Sequence, residues 1–124
     1  FQGNIVFAPN VKVSVSSSAT LQIKDSHLYA CQNAMWQGID VGGNLICYNA
    51  NSDNLIEDAI TALNSSYANI SITNTTFNKN YIDINNPEST HIFFQLIHIN
   101  YLLSCRLSLI CLQILENILM QMSE

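Results

Sequence analysis

Charged residues are scarce in this chain of 124 residues. They make up 10% of the sequence, whereas an average soluble domain has about 25%. Four residues are basic and nine are acidic, and the lysines are scattered rather than clustered. Proteins that bind nucleic acids recognise the phosphate backbone through clustered lysine and arginine side chains. The composition therefore predicts no nucleic-acid partner, and it leaves asparagine, serine and threonine to form the polar surface.

The cysteines form no recognisable motif, and the first residues do not resemble a signal sequence. The four cysteines form no Cys-x-x-Cys pair and match no common zinc spacing. We expect Cys31 and Cys47 to be buried as small apolar side chains. Residues 3–15 already alternate like a strand instead of showing a basic and then apolar leader. We therefore expect the chain to be a piece of a longer protein. Hydrophobic residues make up 48% of it, which suffices for the core of one domain.

Short stretches of alternating apolar and polar residues recur along the first two thirds of the chain. The clearest stretch is residues 68–84, where an Asn/Thr-rich bend separates two alternating isoleucine pairs. Similar stretches open at Leu21 and Leu45, so that Leu21, Leu45 and Ile70 are 24 and 25 residues apart. A repeat of this length is typical of solenoid proteins.

The repeat predicts an all-β solenoid of about three coils. Each strand would pair with its equivalent one coil away, at about 4.8 Å. One coil cannot bury its own apolar residues, so about three are needed for a continuous core. The register of the middle coil stays open, because either Ile60 and Ala62 or Thr61 and Leu63 face inward. The predicted core consists of Leu21, Ile23, Leu28, Ile39, Val41, Leu45, Cys47, Ile56, Ile70, Ile72, Phe77, Ile82 and Ile84.

Four stretches of the chain are similar to a known repeat. They are residues 19–28 (ATLQIKDSHL), 35–41 (MWQGIDV), 55–62 (LIEDAITA) and 70–84 (ISITNTTFNKNYIDI). They resemble the right-handed parallel β-helix repeats of the pectate-lyase-like superfamily in large secreted or surface proteins of the Bacteroidetes type. The resemblance covers about residues 4–86. It implies a right-handed parallel β-helix in residues 1–86 and a secreted or cell-surface location.

The resemblance implies two alternative functions, because the superfamily includes lyases, hydrolases, epimerases, adhesins and stalks. The first is a non-catalytic structural or interaction segment, whose partners are adjacent coils of the parent protein and polysaccharides or cell-surface glycans. The second is a fragment of a polysaccharide lyase or glycoside hydrolase with an incomplete site. A lyase of this superfamily would need acids that hold calcium and a basic residue, usually arginine. The only arginine is Arg106, outside the repeat, which favours the first function.

Residues 87–124 form a tail of different composition. From residue 88 onward the tail contains no Gly, Pro or Asp, and Leu and Ile dominate. Three interpretations stay open: the product of a frame slip, an amphipathic cap on the open end of the solenoid, or a membrane segment in residues 91–115. The membrane interpretation must place His98, Asn100 and Arg106 at membrane depth, where each is costly. The tail is expected to be helical or disordered.

Two carboxylates are candidates for catalysis. Aligning residues 38–41 with residues 81–84 puts Asp40 and Asp83 at matching positions two coils apart. Their backbones would then be roughly 9.6 Å apart, close to the spacing of about 6.5–9.5 Å between the carboxylates of inverting glycosidases. The alternative is that both are ordinary polar residues on the outer face of a strand.

Weaker candidates exist for metal and ligand binding. Asp25, Glu57 and Asp58 supply oxygen ligands of the kind that calcium prefers, although 57 and 58 would point apart on a strand and could simply be solvated at a bend. No other cofactor is expected. His27 has no histidine or cysteine at ligand spacing, which favours a solvated turn. Trp36 is the candidate for stacking on a sugar, and core packing is its alternative.

Overall fold

The computed structural model of the chain describes residues 1–86 and 91–99. These residues contain strands and no helix. The strands stack in parallel as a β-solenoid of about four turns. Residues 1–86 and 91–99 therefore contain no membrane-spanning helix. The strands are β1 (Gln2–Phe7), β2 (Lys12–Val15), β3 (Thr20–Ala30), β4 (Trp36–Val41), β5 (Asn44–Tyr48), β6 (Asn54–Glu57), β7 (Ala59–Ser65), β8 (Asn69–Asn78), β9 (Ile82–Asn85) and β10 (His91–Ile99).

Each turn of the solenoid contributes to two parallel sheets. The first sheet has the order β1-β3-β5-β8-β10, and β6 also lies between β3 and β8. The second sheet has the order β2-β4-β7-β9. The predicted solenoid is therefore confirmed, but with about four turns instead of three. The additional turn comes from β1 and β2, which precede the first repeat recognised in the sequence.

Strand β10 lies in the segment that the composition assigns to the tail. It pairs in parallel with β8, so residues 91–99 extend the first sheet as a strand. For these nine residues the expectation of helix or disorder is wrong, because the open edge of β8 supplies backbone partners that the composition of the tail does not reveal. Residues 87–90 and 100–124 lie outside the described residues. The frame-slip, cap and membrane interpretations of the tail therefore stay predictions.

The predicted register of the first sheet is confirmed. Leu21 pairs with Leu45, which pairs with Ile70. Two residues further along the same strands, Ile23 pairs with Cys47. Alternation with period two places these residues on the inner face. All predicted core residues are buried except Leu21 and Ile82, which are half-buried, and Cys31 is half-buried as well.

The second sheet contains an irregularity that the repeat did not reveal. Gly38 pairs with Thr61, but the next residue, Ile39, pairs with Leu63. Strand β7 therefore carries one extra residue, Ala62, at a β-bulge. Ala62 and Leu63 are both buried, so neither of the two predicted alternations describes this strand.

The bend of the first sheet differs between turns. Strands β3 and β8 run through it continuously, with left-handed backbone at Asp25 (φ 45°) and Asn74 (φ 45°). In the turn between them, a loop at residues 49–53 separates β5 from β6. We call residues 49–53 the bend loop.

Candidate functional site

Asp25 holds the bend loop in place from the preceding turn. Its Oδ1 accepts hydrogen bonds from the backbone N–H groups of Ala50 (2.7 Å), Asn51 (3.0 Å) and Ser52 (3.2 Å). These bonds stabilise the ionised carboxylate, the bond from Ala50 most strongly, and they lower the pKa of Asp25 from 3.8 to about 2. The carboxylate acts here as a clamp between two turns.

Asn54 makes a second connection, in the interior beside the bend loop. Its side-chain oxygen accepts the backbone N–H of Ser26 at 2.9 Å, and its Nδ2 donates to the carbonyl of Tyr48 at 2.9 Å. Nδ2 also lies 3.4 Å from the hydroxyl oxygen of Thr75, on the following turn. Asn54 is buried and joins three turns, because a buried amide must find hydrogen-bond partners.

His27 and Glu57 form a polar pair on the outer face of the same region. Nε2 of His27 lies 2.8 Å from Oε1 of Glu57, and Nδ2 of Asn78 donates to the other Glu57 oxygen at 3.1 Å. The His27 side chain is 34% exposed and that of Glu57 12%. The Tyr29 ring lies beside the imidazole, with 4.4 Å between ring centroids and 30° between planes. We call His27, Tyr29, Glu57 and Asn78 the outer-bend cluster.

Trp36 supports this cluster from inside the solenoid. It is fully buried, and its ring stacks on Phe7 with 4.1 Å between centroids. Its indole N–H donates to the backbone carbonyl of Glu57 at 2.9 Å. The core alternative therefore describes Trp36 correctly, and its ring presents no exposed face to a sugar.

Asp40 belongs to a polar ladder on the outer face of the second sheet. Its carboxylate accepts hydrogen bonds from Lys12 Nζ at 2.9 Å and from Asn64 Nδ2 at 3.1 Å. The ladder continues as Asn85 Nδ2 donates to Asn64 Oδ1 at 2.8 Å. The backbone register matches this order, since Asp40 pairs with Asn64 and Asn64 with Asn85.

Asp83 lies in the core instead of beside Asp40. Its neighbour Ile84 pairs with Leu63, which places Asp83 opposite the bulge residue Ala62. It is fully buried, and its Oδ1 accepts a hydrogen bond from Asn80 Nδ2 at 3.0 Å. The predicted equivalence of Asp40 and Asp83 is wrong, because Asp40 aligns through Asn64 with Asn85, two residues further on. Asp83 instead takes the position of the extra, buried residue of the bulge. The two carboxylates do not meet in one groove.

The three candidate calcium ligands have separate roles. Asp25 binds backbone N–H groups of the bend loop, and Glu57 is bonded to His27 and Asn78. Asp58 has left-handed backbone (φ 60°) at the corner between β6 and β7. Among residues 1–86 and 91–99, no three His, Cys, Asp or Glu side chains lie together in a group that could hold a metal ion. The structure does not assemble the site predicted from Asp25, Glu57 and Asp58.

The outer-bend cluster is not evident from the sequence because the bend loop changes the repeat length. The offset between paired residues is 24 for Leu21 and Leu45, but 28 for His27 and Leu55. A constant period therefore places the wrong residues next to His27. The polar stretch after Tyr48 is a signal of the insertion, but its length does not reveal which acid reaches the imidazole.

The described residues thus form a solenoid in which acidic side chains bind neighbouring turns. One cluster, on the outer bend, combines an imidazole, a carboxylate, an amide and an aromatic ring. Comparison of the chain with protein-family models, with curated proteins and with solved structures gives no significant match.

Proposed function

We propose that this chain is a non-catalytic structural and interaction segment of a secreted or cell-surface β-helix protein. The proposal includes membership of the pectate-lyase-like superfamily. The chain would pack against adjacent coils of its parent protein and contact glycans through its polar outer faces. The resemblance of the repeat supports the proposed family, location and ligand. The geometry supports the absence of a catalytic role.

The observation that carries the non-catalytic assignment is how the outer carboxylates are used. Asp25 is bonded to the bend loop, Asp40 to Lys12 and Asn64, and Glu57 to His27 and Asn78. Every one of these contacts joins two different turns. Carboxylates whose oxygens are occupied by such contacts stabilise the stack, whereas an acid or base in catalysis must reach the substrate proton directly or through one water.

A paired assay of binding and cleavage tests the proposal. The full chain is incubated with a panel of neutral and acidic polysaccharides, and both retention of the protein and release of new chain ends are measured. We expect retention by at least one polysaccharide without cleavage of any. Cleavage that disappears in Glu57→Gln but persists in Asp53→Asn, an exposed acid of the bend loop, would contradict the non-catalytic assignment. No retention by any polysaccharide would contradict the glycan contact.

One observation supports the enzyme fragment as a second candidate. A histidine whose ring nitrogen is held by a carboxylate is the arrangement of a general base and its orienting group. His27 and Glu57 have this arrangement at 2.8 Å. The same assay separates the two functions, because a fragment with residual activity releases new chain ends in proportion to enzyme concentration, and His27→Gln abolishes that release.

A further inference from the structure

We propose that the outer-bend cluster is a binding subsite for a neutral, hydroxyl-rich ligand, with His27 as hydrogen-bond acceptor and Tyr29 as the stacking surface. The inference rests on the proposed interaction role and assigns that role to one place on the molecule. It uses His27, Tyr29, Glu57 and Asn78, which the sequence did not connect.

The hydrogen bonds of the cluster define which group remains available to a ligand. An ionised carboxylate only accepts hydrogen bonds, so Glu57 requires the proton of the neutral imidazole to be on Nε2. Nδ1 then carries a lone pair and accepts a hydrogen bond. Both oxygens of Glu57 already have partners, one of them being Asn78. While the imidazole is neutral, Nδ1 of His27 is therefore the acceptor that remains for a ligand hydroxyl.

The cluster is held rigidly by the groups beneath it. Asn54 fixes the backbone of Ser26, next to His27, with a hydrogen bond of 2.9 Å. Trp36 fixes the backbone of Glu57 with another of 2.9 Å. Binding groups that a buried scaffold has already ordered lose less conformational entropy when a ligand arrives. These two buried contacts distinguish the cluster from a chance grouping of surface side chains.

The surroundings of the cluster determine the class of ligand. Val6 pairs with Tyr29 and is 50% exposed, so apolar surface continues beside the aromatic ring. A sugar ring has apolar C–H faces that pack on such a surface and hydroxyls that reach polar groups at its edge. Glu57 places a negative charge in the cluster, which disfavours carboxylated sugars. The chemistry therefore fits a neutral sugar better than a uronic acid.

The test is an NMR titration of the full chain that follows the imidazole signals of His27. The signals are assigned with His27→Gln, and the probes are cello-, xylo- and malto-oligosaccharides, with oligogalacturonate as the acidic comparison. We expect a saturable shift of the His27 signals with at least one neutral probe and none with oligogalacturonate. Tyr29→Ala should weaken that binding by about fivefold, through the lost ring contact.

Matched variants separate this inference from general effects on folding. Tyr29→Leu keeps apolar bulk without the ring and should weaken binding as Tyr29→Ala does, whereas Tyr81→Ala removes an exposed tyrosine outside the cluster and should not. Circular dichroism checks that each variant is folded. Retention in the polysaccharide assay without any saturable shift at His27 would overturn the subsite and leave the glycan contact standing. Equal affinity of wild type, Tyr29→Ala and Tyr29→Leu would overturn it too.

Discussion

Several residues at the corners of the solenoid have left-handed backbone although they are not glycine. At the corner that leads from the first sheet to the second, they are Asn10, Gln32, Asn33, Asp58 and Lys79. Asparagine and aspartate tolerate this conformation because their short side chains bond to nearby backbone. Lysine has no such compensation, so Lys79, at φ 55° and exposed, is strained.

Replacing Lys79 by asparagine should stabilise the protein. The left-handed conformation costs an ordinary residue about 1–2 kcal/mol, of which asparagine recovers a part, so we expect a gain of about 0.5–1 kcal/mol. Chemical denaturation measures the gain. Lys79→Ala is the control, because it removes the same charge and keeps the strained Cβ. An equal gain in both variants would show that charge, not backbone strain, is the cause.

The lowered pKa of Asp25 predicts how stability depends on pH. In the folded protein the backbone N–H groups of the bend loop lower this pKa from 3.8 to about 2. The contribution of Asp25 to stability is therefore fully present above about pH 4 and is lost as the pH falls through about 2. In Asp25→Asn the midpoint of unfolding should change less with pH in this range. In Asp53→Asn, which removes an acid of the bend loop itself, the midpoint should still fall as the pH is lowered. A steep loss between about pH 4 and 2 in Asp25→Asn would contradict the assignment.

At the scale of strands, the bulge in the second sheet depends on one glycine. Gly38 has φ 97°, and a Cβ at this position would lie 1.6 Å from the carbonyl oxygen of Thr61 on the next turn. No side chain fits there unless β4 and β7 separate. The close approach of the two backbones explains why this turn of the repeat has a glycine in the middle of a strand.

Gly38→Ala should therefore destabilise the solenoid strongly. Because neither the backbone conformation nor the space suits an alanine, we expect the free energy of unfolding to fall by about 4 kcal/mol. Gly3→Ala is a matched control, since Gly3 also has positive φ (90°) but a Cβ added there would meet no atom within 4 Å. It should lose only about 1–2 kcal/mol from backbone strain. Comparable losses in the two variants, measured by chemical denaturation, would show that the contact with Thr61 is not important.

How far the sequence predicts each strand depends on whether its residues keep a constant spacing. Leu21, Leu45 and Ile70 do, and their pairing was predicted correctly. The bulge at Ala62 and the bend loop each shift the spacing locally, and alternation alone cannot locate an added residue. These two shifts account for the incorrect pairing of Asp40 with Asp83 and for the missed contact of His27 with Glu57. Trp36 was undecided because Gly38 breaks the alternation next to it.

At the scale of the whole molecule, each turn contacts mainly its neighbours. In the described part of the chain, β1 pairs only with β3 and β2 only with β4, whereas β5 and β7 are paired on both sides. The stability of a stack of this kind is close to a sum over turns and the interfaces between them. The first turn has one interface and exposes Phe1, Val6 and Val11.

Hydrogen exchange should therefore proceed from the first turn inward. We expect the amides of β1 and β2 to exchange about tenfold or more faster than those of β5 and β7, because opening the first turn breaks one interface instead of two. Mass spectrometry of peptides after timed exchange measures the gradient. Uniform protection across the four strands would show that the stack opens only as a single cooperative unit.

The bend loop has a practical consequence for protein engineering. Its residues lie between β5 and β6, while the parallel strands on either side keep their pairing with β3 and β8. The loop can thus change in length while the strands that form the core keep their pairing. A foreign peptide grafted between residues 51 and 53 would be displayed on the outside of the solenoid at a fixed position, anchored at its base by the contacts of Asp25 with Ala50 and Asn51 and of Asn54 with Tyr48.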